Sequence, residues 1–394
     1  MSSQFDQIID RTETSSYKWD GMKANGIPED AIPLWVADMD FRAPSCVLRS
    51  LEDRVDHGVF GYSFTSQSYL DSLDNWFSTR HNWKISPDWL VTTPGVVCAI
   101  KTAVRAFTEP EDAVIILQPV YSPFASSVTG CGRKLVVSQL LFEDGKYSVN
   151  YEDFEHKIAD NNVKLFILCS PHNPVGRVWT AEELIHLGEI CRRHDVLVVS
   201  DEIHQDFVYP GHTHLVFSSL KPEFEEFSII CTAPSKTFNL AALQLSNIFI
   251  PNKELREAFQ AELSRAGIGE PNLMGAISCE AAYSHGAEWL DELRGYLMEN
   301  IIFVRRFLAD EIPEIQAVEP QGTYLLWLDC RELGLGNEEL RNFFLEKAGL
   351  WLNNGYEFGA GGEGFMRCNI AAPREVLVKA MNRLKAAVNE QPTN

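Results

Sequence analysis

The 394-residue sequence is short of positive charge and of the features that mark disordered or repetitive chains. Its 34 lysines and arginines stand against 55 aspartates and glutamates, a formal net charge of −21. A surface this acidic repels nucleic-acid backbones and anionic lipid head groups, so we expect no broad binding to either. Repeats, low-complexity tracts and linkers rich in proline, glycine or serine are also missing. This length therefore predicts two or three tightly joined globular domains.

Paired cysteines and long apolar runs are missing as well. The nine cysteines are odd in number and contain no C-x-x-C, which excludes a disulfide framework and a common zinc ligand set. Cysteines of this kind fit a reducing compartment. Residues 1–20 are polar and lack the apolar core of a signal peptide. The longest apolar stretch, residues 240–250, is far short of the ~20 residues of a membrane span. We expect a cytoplasmic protein.

What the sequence does contain, between residues 95 and 250, is an alternation of short apolar runs with helical patterns. The predicted helices cover 95–107 and 181–194, and the predicted strands cover 113–117, 163–169, 196–200, 228–232 and 246–250. Apolar strands that alternate with helices indicate an α/β fold with a parallel sheet covered on both faces. In such sheets ligands bind beyond the carboxyl ends of the strands.

The pattern changes near residue 288. The predicted elements beyond it are helix 289–310, strand 324–328 and helices 337–349 and 374–389. This order indicates a smaller α+β unit. We therefore expect a large domain over 46–288 and a small domain over 289–394, with the N-terminal segment 1–45 joining the small domain.

Three of the predicted strands are each followed by a polar group of a different kind. Asn173 follows strand 163–169, Asp201 follows strand 196–200, and Lys236 follows strand 228–232. Taken singly, they read as a turn residue, a helix cap and a surface charge. Taken together, an amide, a carboxylate and an amine at one sheet edge indicate a functional site.

This ordered set resembles a known family. Asn-Pro-x-Gly, an aspartate 28 residues after that asparagine and Ser-Lys with its lysine 35 residues further on are typical of fold-type I pyridoxal phosphate enzymes, the class I/II aminotransferase superfamily. Further stretches resemble its cystathionine β-lyase (C–S lyase) branch: LWVADMDF (34–41), GVFGY (58–62), PVY (119–121), SPHNP (170–174), SDEIH (200–204) and APSKTFNL (233–240). The resemblance covers about residues 5–385. It implies the PLP-transferase fold type I, with a mostly parallel seven-stranded sheet in the large domain.

The resemblance assigns roles to the residues that follow the strands. It implies pyridoxal 5′-phosphate bound covalently to Lys236, whose amine, once displaced by substrate, is the base nearest the α-proton. Asp201 would pair with the pyridine nitrogen and favour the cationic ring, which acts as the electron sink. Asn173 would bind the ring hydroxyl, and Tyr121 would stack on the ring face. Lys236, Asp201 and Tyr121 are thus the predicted catalytic residues.

The cofactor phosphate needs donors. Free N–H groups at the start of helix 95–107 suit an anion, which makes Val96 and Val97 candidates. By family analogy Tyr62 reaches the phosphate from a partner subunit, so we expect a homodimer with a shared active site. Further candidate cofactor contacts are Thr232 and Ser235.

The resemblance also points to the substrate site. Arg367 would hold the substrate carboxylate through its guanidinium fork, with Ala37 as a second substrate contact. Two positions depart from the pattern of many aminotransferases. His204, a predicted cofactor contact, stands where a tyrosine is common, and Gln244 stands where an arginine often binds the phosphate. Both departures look like the lyase branch, and they make backbone donors and Tyr62 more important for the phosphate.

Two other patterns suggest sites that we do not expect. Residues 359–364 read GAGGEG and match G-x-G-x-x-G, but a polar segment precedes them and only 30 residues follow. A dinucleotide motif needs a buried strand before it and a βαβ unit around it, so we expect a flexible loop near the substrate entrance. His204, His212 and His214 match no common zinc spacing. We expect exposed loop histidines and no metal.

Three functions stay open at this point. The resemblance favours a β-lyase that converts cystathionine, cysteine or a related S-substituted cysteine to a thiol, pyruvate and ammonia. An aminotransferase shares the early steps and differs in where the proton returns, which the sequence pattern does not separate. A regulatory protein that binds a transcription activator could use the same fold. The intact set of Lys236, Asp201, Asn173 and Arg367 argues against a purely regulatory role, since a binding scaffold has no use for it.

Overall fold

Strands and helices alternate along residues 3–390, the part of the chain that the computed structural model describes. The strands are β1 Ile32–Pro33, β2 Leu90–Thr93, β3 Ala113–Gln118, β4 Lys134–Gln139, β5 Leu141–Glu143, β6 Lys146–Ser148, β7 Val163–Cys169, β8 Leu197–Asp201, β9 Ser228–Thr232, β10 Ser246–Phe249, β11 Gln316–Ala317, β12 Leu325–Asp329, β13 Leu350–Trp351, β14 Asn353–Asn354 and β15 Phe365–Asn369. The helices are α1 Gly21–Ala24, α2 Ser45–His57, α3 Gln67–His81, α4 Val96–Phe107, α5 Pro123–Gly130, α6 Tyr151–Asp160, α7 Ala181–Arg193, α8 Pro234–Thr237, α9 Lys253–Arg265, α10 Leu273–His285, α11 Ala287–Glu311, α12 Asn337–Asn342 and α13 Arg374–Asn389.

The main sheet has seven strands in the order β2-β10-β9-β8-β7-β3-β4. The pairs from β9 through β8, β7 and β3 to β4 are parallel, whereas β10 runs antiparallel to both β9 and β2. The mostly parallel seven-stranded sheet is confirmed. The expectation that segment 246–250 continues the parallel series is wrong. A parallel return usually needs a covering helix, and the connection from β9 to β10 contains only the short α8 and a 3₁₀ turn.

The sheet separates two hydrophobic cores. Along β7, Phe166 and Leu168 belong to one core, while Leu165, Ile167 and Cys169 belong to the other. Successive side chains of a strand point to opposite faces, so a strand covered on both sides must be apolar throughout. This is why the central strands appear in the sequence as uninterrupted apolar runs.

The edges of the sheet behave differently. Strand β4 alternates exposed and buried positions, and β2 is only partly buried, so neither forms an apolar run. The sequence analysis therefore missed both, together with the short hairpin β5–β6. Edge strands carry polar residues because one side of them faces solvent.

The C-terminal part of the chain forms a second, smaller sheet. Strands β11, β12, β15 and β14 pair antiparallel in that order, after the long helix α11. The predicted helix 337–349 divides into α12 and a π-helical turn, Phe343–Lys347. Strand β1 pairs with β13, so part of the N-terminal segment lies against the C-terminal elements. These pairings agree with the domain division expected from the sequence. The division itself stays a prediction.

Several further properties concern the described residues as a whole. Between residues 3 and 390 no helix is both long enough and apolar enough to cross a membrane. Within the same range, no three His, Cys, Asp or Glu side chains lie together as a metal site would require. All nine cysteines are free thiols, and six of them are buried.

Candidate active site

The register of the main sheet brings the three polar residues to one edge. Asp201, the last residue of β8, lies opposite Cys169 at the end of β7 and Cys231 near the end of β9. Asn173 follows β7 by a few residues, and Lys236 lies on α8 directly after β9. The carboxyl ends of parallel strands therefore place an amide, a carboxylate and an amine around one space, as the sequence predicts.

Lys236 is partly buried, and a backbone oxygen holds its amine. Its Nζ donates to the Ala37 carbonyl over 2.7 Å, and the same carbonyl accepts a hydrogen bond from the Tyr324 hydroxyl at 3.0 Å. Burial lowers the pKa of Lys236 to about 8, against the attraction of Asp38. Roughly a tenth of this amine is therefore neutral at pH 7, far more than in a free lysine, and the neutral form is the one that attacks a carbonyl or accepts a proton.

Asp201 is a buried carboxylate with few hydrogen-bond partners in the described part of the chain. One oxygen accepts the Ile203 N–H at 3.1 Å, and burial raises the pKa of Asp201 to about 7. Among residues 3–390 no cationic side chain lies within ion-pair distance of it. A buried carboxylate in this state is costly until a cation pairs with it. A protonated pyridine nitrogen would supply that cation, so Asp201 fits pyridoxal phosphate.

Arg367 lies on β15 with its guanidinium buried between the two sheets. Nη1 donates to the Asn173 Oδ1 at 3.0 Å, and Nη2 donates to the Trp35 carbonyl at 2.9 Å and to the Asn353 side chain. The ring of Phe358 lies 4.8 Å from the guanidinium carbon. Burial lowers the pKa of Arg367 to about 10. In the described part of the chain no carboxylate pairs with it and its Nε has no partner, which suits a carboxylate ligand.

Tyr121 and His204 lie beside these groups. The Tyr121 N–H donates to the Asn173 carbonyl at 3.0 Å, which ties the end of β3 to the loop after β7. The buried His204 ring lies edge-on to Tyr324, with centroids 5.7 Å apart. Burial, together with the charges of Lys236 and Arg367, lowers the pKa of His204, so this imidazole is neutral.

The expected exposure of the loop histidines is wrong for two of the three. His204 and His214 are buried, and only His212 is exposed. His214 Nε2 lies 2.8 Å from Glu202, whose carboxylate also accepts from Ser200 and from a backbone N–H. Buried imidazoles of this kind need a polar partner, and the sequence pattern gave no sign of one.

The predicted phosphate contacts are at the start of α4 and around α8. Val96 and Val97 open α4, and no side chain caps their end of the helix, so their N–H groups are free for an anion. Ser235 is half-buried beside Lys236. Thr232 is turned away from α4: its hydroxyl donates to the Asn247 carbonyl of β10 at 3.0 Å. Its phosphate contact stays a prediction.

Within one chain, the Tyr62 side chain lies outside the candidate site. It is fully exposed, and the side chains of Val59, Phe60 and Phe64 around it are more than half exposed. Exposed apolar side chains grouped in this way mark an interaction surface. The arrangement fits a tyrosine that acts in a partner subunit.

Three groups near Lys236 and Arg367 were missed in the sequence analysis. Tyr324 stands at the start of the predicted strand 324–328, and Asn353 lies in the polar segment before the glycine-rich run. Trp35 contributes its backbone carbonyl, which no side-chain pattern reveals. Of the three, only Tyr324 leaves a signal in the sequence, because it is a polar residue at the start of an apolar strand.

The glycine-rich run 359–364 is packed rather than free. The Ala360 N–H donates to the Gln118 side chain at 2.9 Å, and a Cβ on Gly359 would lie 2.1 Å from the same side chain. The expected flexible loop is therefore wrong at these positions. The run leads directly into β15, so no helix follows to bind a dinucleotide.

Comparison with known proteins agrees with this geometry. A model of the family described as "Aminotransferase class I and II" matches residues 30–384. The chain belongs to this family. Cystathionine beta-lyase PatB of Bacillus subtilis is 45% identical over 385 residues, which cover 98% of this chain and 100% of PatB.

Two solved structures are similar over nearly the whole chain. Cystalysin of Treponema denticola, which contains a pyridoxal 5′-phosphate cofactor, superposes with a TM-score of 0.96 at 38% identity and covers 99% of this chain and 100% of its own. The PLP-bound C-S lyase of Staphylococcus hominis has a TM-score of 0.93 at 33% identity, with 99% of both chains covered.

Proposed function

We propose that this protein is a pyridoxal phosphate-dependent carbon–sulfur β-lyase. It cleaves cystathionine, cysteine or a related S-substituted cysteine to a thiol, pyruvate and ammonia. The observation that carries the proposal is that the buried Asp201 and Arg367 and the partly buried Lys236 meet at one sheet edge, each with a pKa shifted towards its neutral form. Lys236 would react with a cofactor aldehyde, Asp201 would pair with a protonated pyridine nitrogen, and Arg367 would pair with a substrate carboxylate. The relatives named cystathionine beta-lyase and C-S lyase support this choice of reaction.

Three side chains, those of Asp201, Asn173 and Tyr121, would hold the cofactor ring. When bound, pyridoxal phosphate supplies an electron sink for the charge left at the substrate α-carbon. Asp201 would keep the ring nitrogen protonated, because an adjacent carboxylate favours the cation. Since the Asn173 Oδ1 accepts from Arg367, its Nδ2 would be free to donate to the ring hydroxyl. Tyr121 would cover the ring face, where offset stacking contributes about 0.5–1.5 kcal/mol.

The phosphate would lie at the start of α4. The N–H groups of Val96 and Val97 and the helix dipole favour an anion there. Ser235 and Thr232 are further candidate donors, and Tyr62 of the partner subunit would complete the site. We therefore propose a homodimer, which the exposed apolar residues around Tyr62 support. The free thiols support a cytoplasmic location.

The remaining residues would act on the substrate. Arg367 would bind the carboxylate through two parallel hydrogen bonds from Nε and Nη2, the second in place of the present bond to Asn353, which fixes the orientation of the α-carbon. The Lys236 amine, released from the cofactor, would take the α-proton, and the Ala37 carbonyl is placed to direct its Nζ. The neutral His204 would pack beside the ring without adding a competing positive charge.

The decisive assay gives the purified, cofactor-loaded protein L-cystathionine and no keto acid. A lyase releases pyruvate and homocysteine in equal amounts, with water consumed and ammonia formed. A protein that forms pyruvate only after a keto acid is added would be an aminotransferase, and the proposal would fail. Lys236→Ala should abolish pyruvate release. Lys253→Ala, at an exposed lysine of α9, is the matched control and should leave it unchanged.

A further inference from the structure

Asp206 is a buried carboxylate that the reaction described above does not use. Its side chain is 1% exposed, five residues beyond Asp201 on the loop after β8. Oδ1 lies 2.9 Å from the His81 Nε2 and accepts from the Trp76 indole at 3.2 Å. Oδ2 accepts from the Thr237 hydroxyl at 2.6 Å. Both oxygens are therefore fully engaged.

The bond to Thr237 reaches the residue next to Lys236. Thr237 is the last residue of α8 and is fully buried. Two residues further on, Asn239 bonds through its side chain to the backbone of Met39 and Phe41. The segment that carries Lys236 is thus anchored at two points. The Asn239 anchor holds it to the N-terminal segment, and the Asp206 anchor holds it to the loop that follows Asp201.

The Asp206 anchor is a charge-assisted one. Burial opposes ionisation of Asp206, but the hydrogen bond and charge of His81 and the Thr237 hydroxyl hold the pKa of this carboxyl below its usual value. Arg80 adds to the effect from the face of the Trp76 ring. A hydroxyl bound to a carboxylate at 2.6 Å is shorter and stronger than a neutral pair. Thr237 therefore has little freedom to move.

We propose that Asp206, supported by His81, is a positioning residue that directs the Lys236 amine by fixing Thr237. The inference rests on the proposed function, because it concerns the group that would take the α-proton. A displacement of the reacting group by about 1 Å can cost on the order of 100-fold in rate. Loss of the Thr237 bond should therefore lower kcat by roughly 10- to 100-fold. KM should change little, since Arg367 makes no contact with this cluster.

The test compares two substitutions at Thr237 in the cofactor-loaded enzyme. Thr237→Val removes the hydroxyl at nearly constant volume, whereas Thr237→Ser keeps it. We expect the large fall in kcat for valine and recovery to within about threefold of wild type for serine. Asp206→Asn should show the same split between kcat and KM as Thr237→Val. The matched control is Thr108→Val, which also removes a buried threonine hydroxyl. This hydroxyl donates to the Val104 carbonyl and accepts from the Arg133 Nε at the C-terminal end of α4, away from residues 236–239.

A second readout does not depend on turnover. The visible circular dichroism of the bound cofactor reports the orientation in which Lys236 holds it, and it should change in Thr237→Val but not in Thr237→Ser or Thr108→Val. If kcat of Thr237→Val stays within twofold of wild type, or if Thr108→Val loses as much kcat, the inference is wrong and the proposed function stands. If wild type itself binds no cofactor or releases no pyruvate, the proposed function fails, and the inference fails with it.

Discussion

Replacing Asp201 by asparagine should stabilise the cofactor-free protein while it removes activity. Asparagine keeps an oxygen for the Ile203 N–H, which is the hydrogen bond that Asp201 accepts at 3.1 Å. It cannot ionise, so the cost of a buried charge disappears. The same change removes the carboxylate that would hold the cofactor nitrogen protonated, and we expect kcat/KM to fall by roughly 100-fold or more.

The size of the stabilisation follows from the pKa shift. Burial raises the pKa of Asp201 from 3.8 to about 7 in the folded protein. Because the folded pKa is the higher one, the folded state binds more protons between these values, and stability falls as the pH rises through that window. The cost begins above pH 3.8 and is complete above pH 7. At 1.36 kcal/mol per pKa unit it reaches about 4 kcal/mol at pH 8 and about 2 kcal/mol at pH 5.

Equilibrium urea unfolding of the cofactor-free proteins measures this difference. Wild type and Asp201→Asn should be compared at pH 5 and pH 8, at equal protein concentration, with tryptophan fluorescence as the signal. The gain in unfolding free energy should increase about 2.5-fold between the two pH values. A gain that is the same at both, or a loss at pH 8, would refute the view that Asp201 is a buried carboxylate without a cation.

Three other substitutions test separate parts of the site. Arg367→Lys should raise KM roughly 10- to 100-fold in steady-state kinetics, because an ammonium cannot form two parallel bonds; an unchanged KM would contradict its role. Tyr121→Leu should weaken cofactor binding about 2- to 10-fold in equilibrium dialysis, whereas Tyr121→Phe should bind as wild type does; equal affinities in all three would exclude stacking. Gly359→Ala should destabilise the fold by about 1–3 kcal/mol, because φ is +93° and the new Cβ would lie 2.1 Å from Gln118. Gly26→Ala, with φ +67° and open space around it, is the control and should cost less on thermal unfolding.

The central fold could be read from the sequence because burial on both faces leaves a simple pattern. The predicted bounds of β7, β9 and α13 are those of the structure. The same criterion fails for β2 and β4, whose edge positions require polar residues. It also gives no strand direction, which is why the reversal of β10 was not foreseen.

The residues of the candidate site likewise fall into two groups, those that the sequence predicts and those that it does not. Asn173, Asp201 and Lys236 could be found because each lies at the carboxyl end of a strand or within a few residues of it, so chain position alone brings them together. Tyr324 and Asn353 could not, because they reach the site only through packing of the smaller sheet against the larger.

Lys236 is the residue that would bind the cofactor, and the whole proposed reaction depends on it. Chemical reduction tests this assignment. Borohydride treatment of the pyridoxal phosphate-loaded protein makes the bond between a lysine and the cofactor permanent, and peptide mass mapping then locates it. We expect the cofactor's mass on the peptide that contains Lys236 and its loss in Lys236→Ala. Labelling of a different lysine, or none at all, would contradict this assignment.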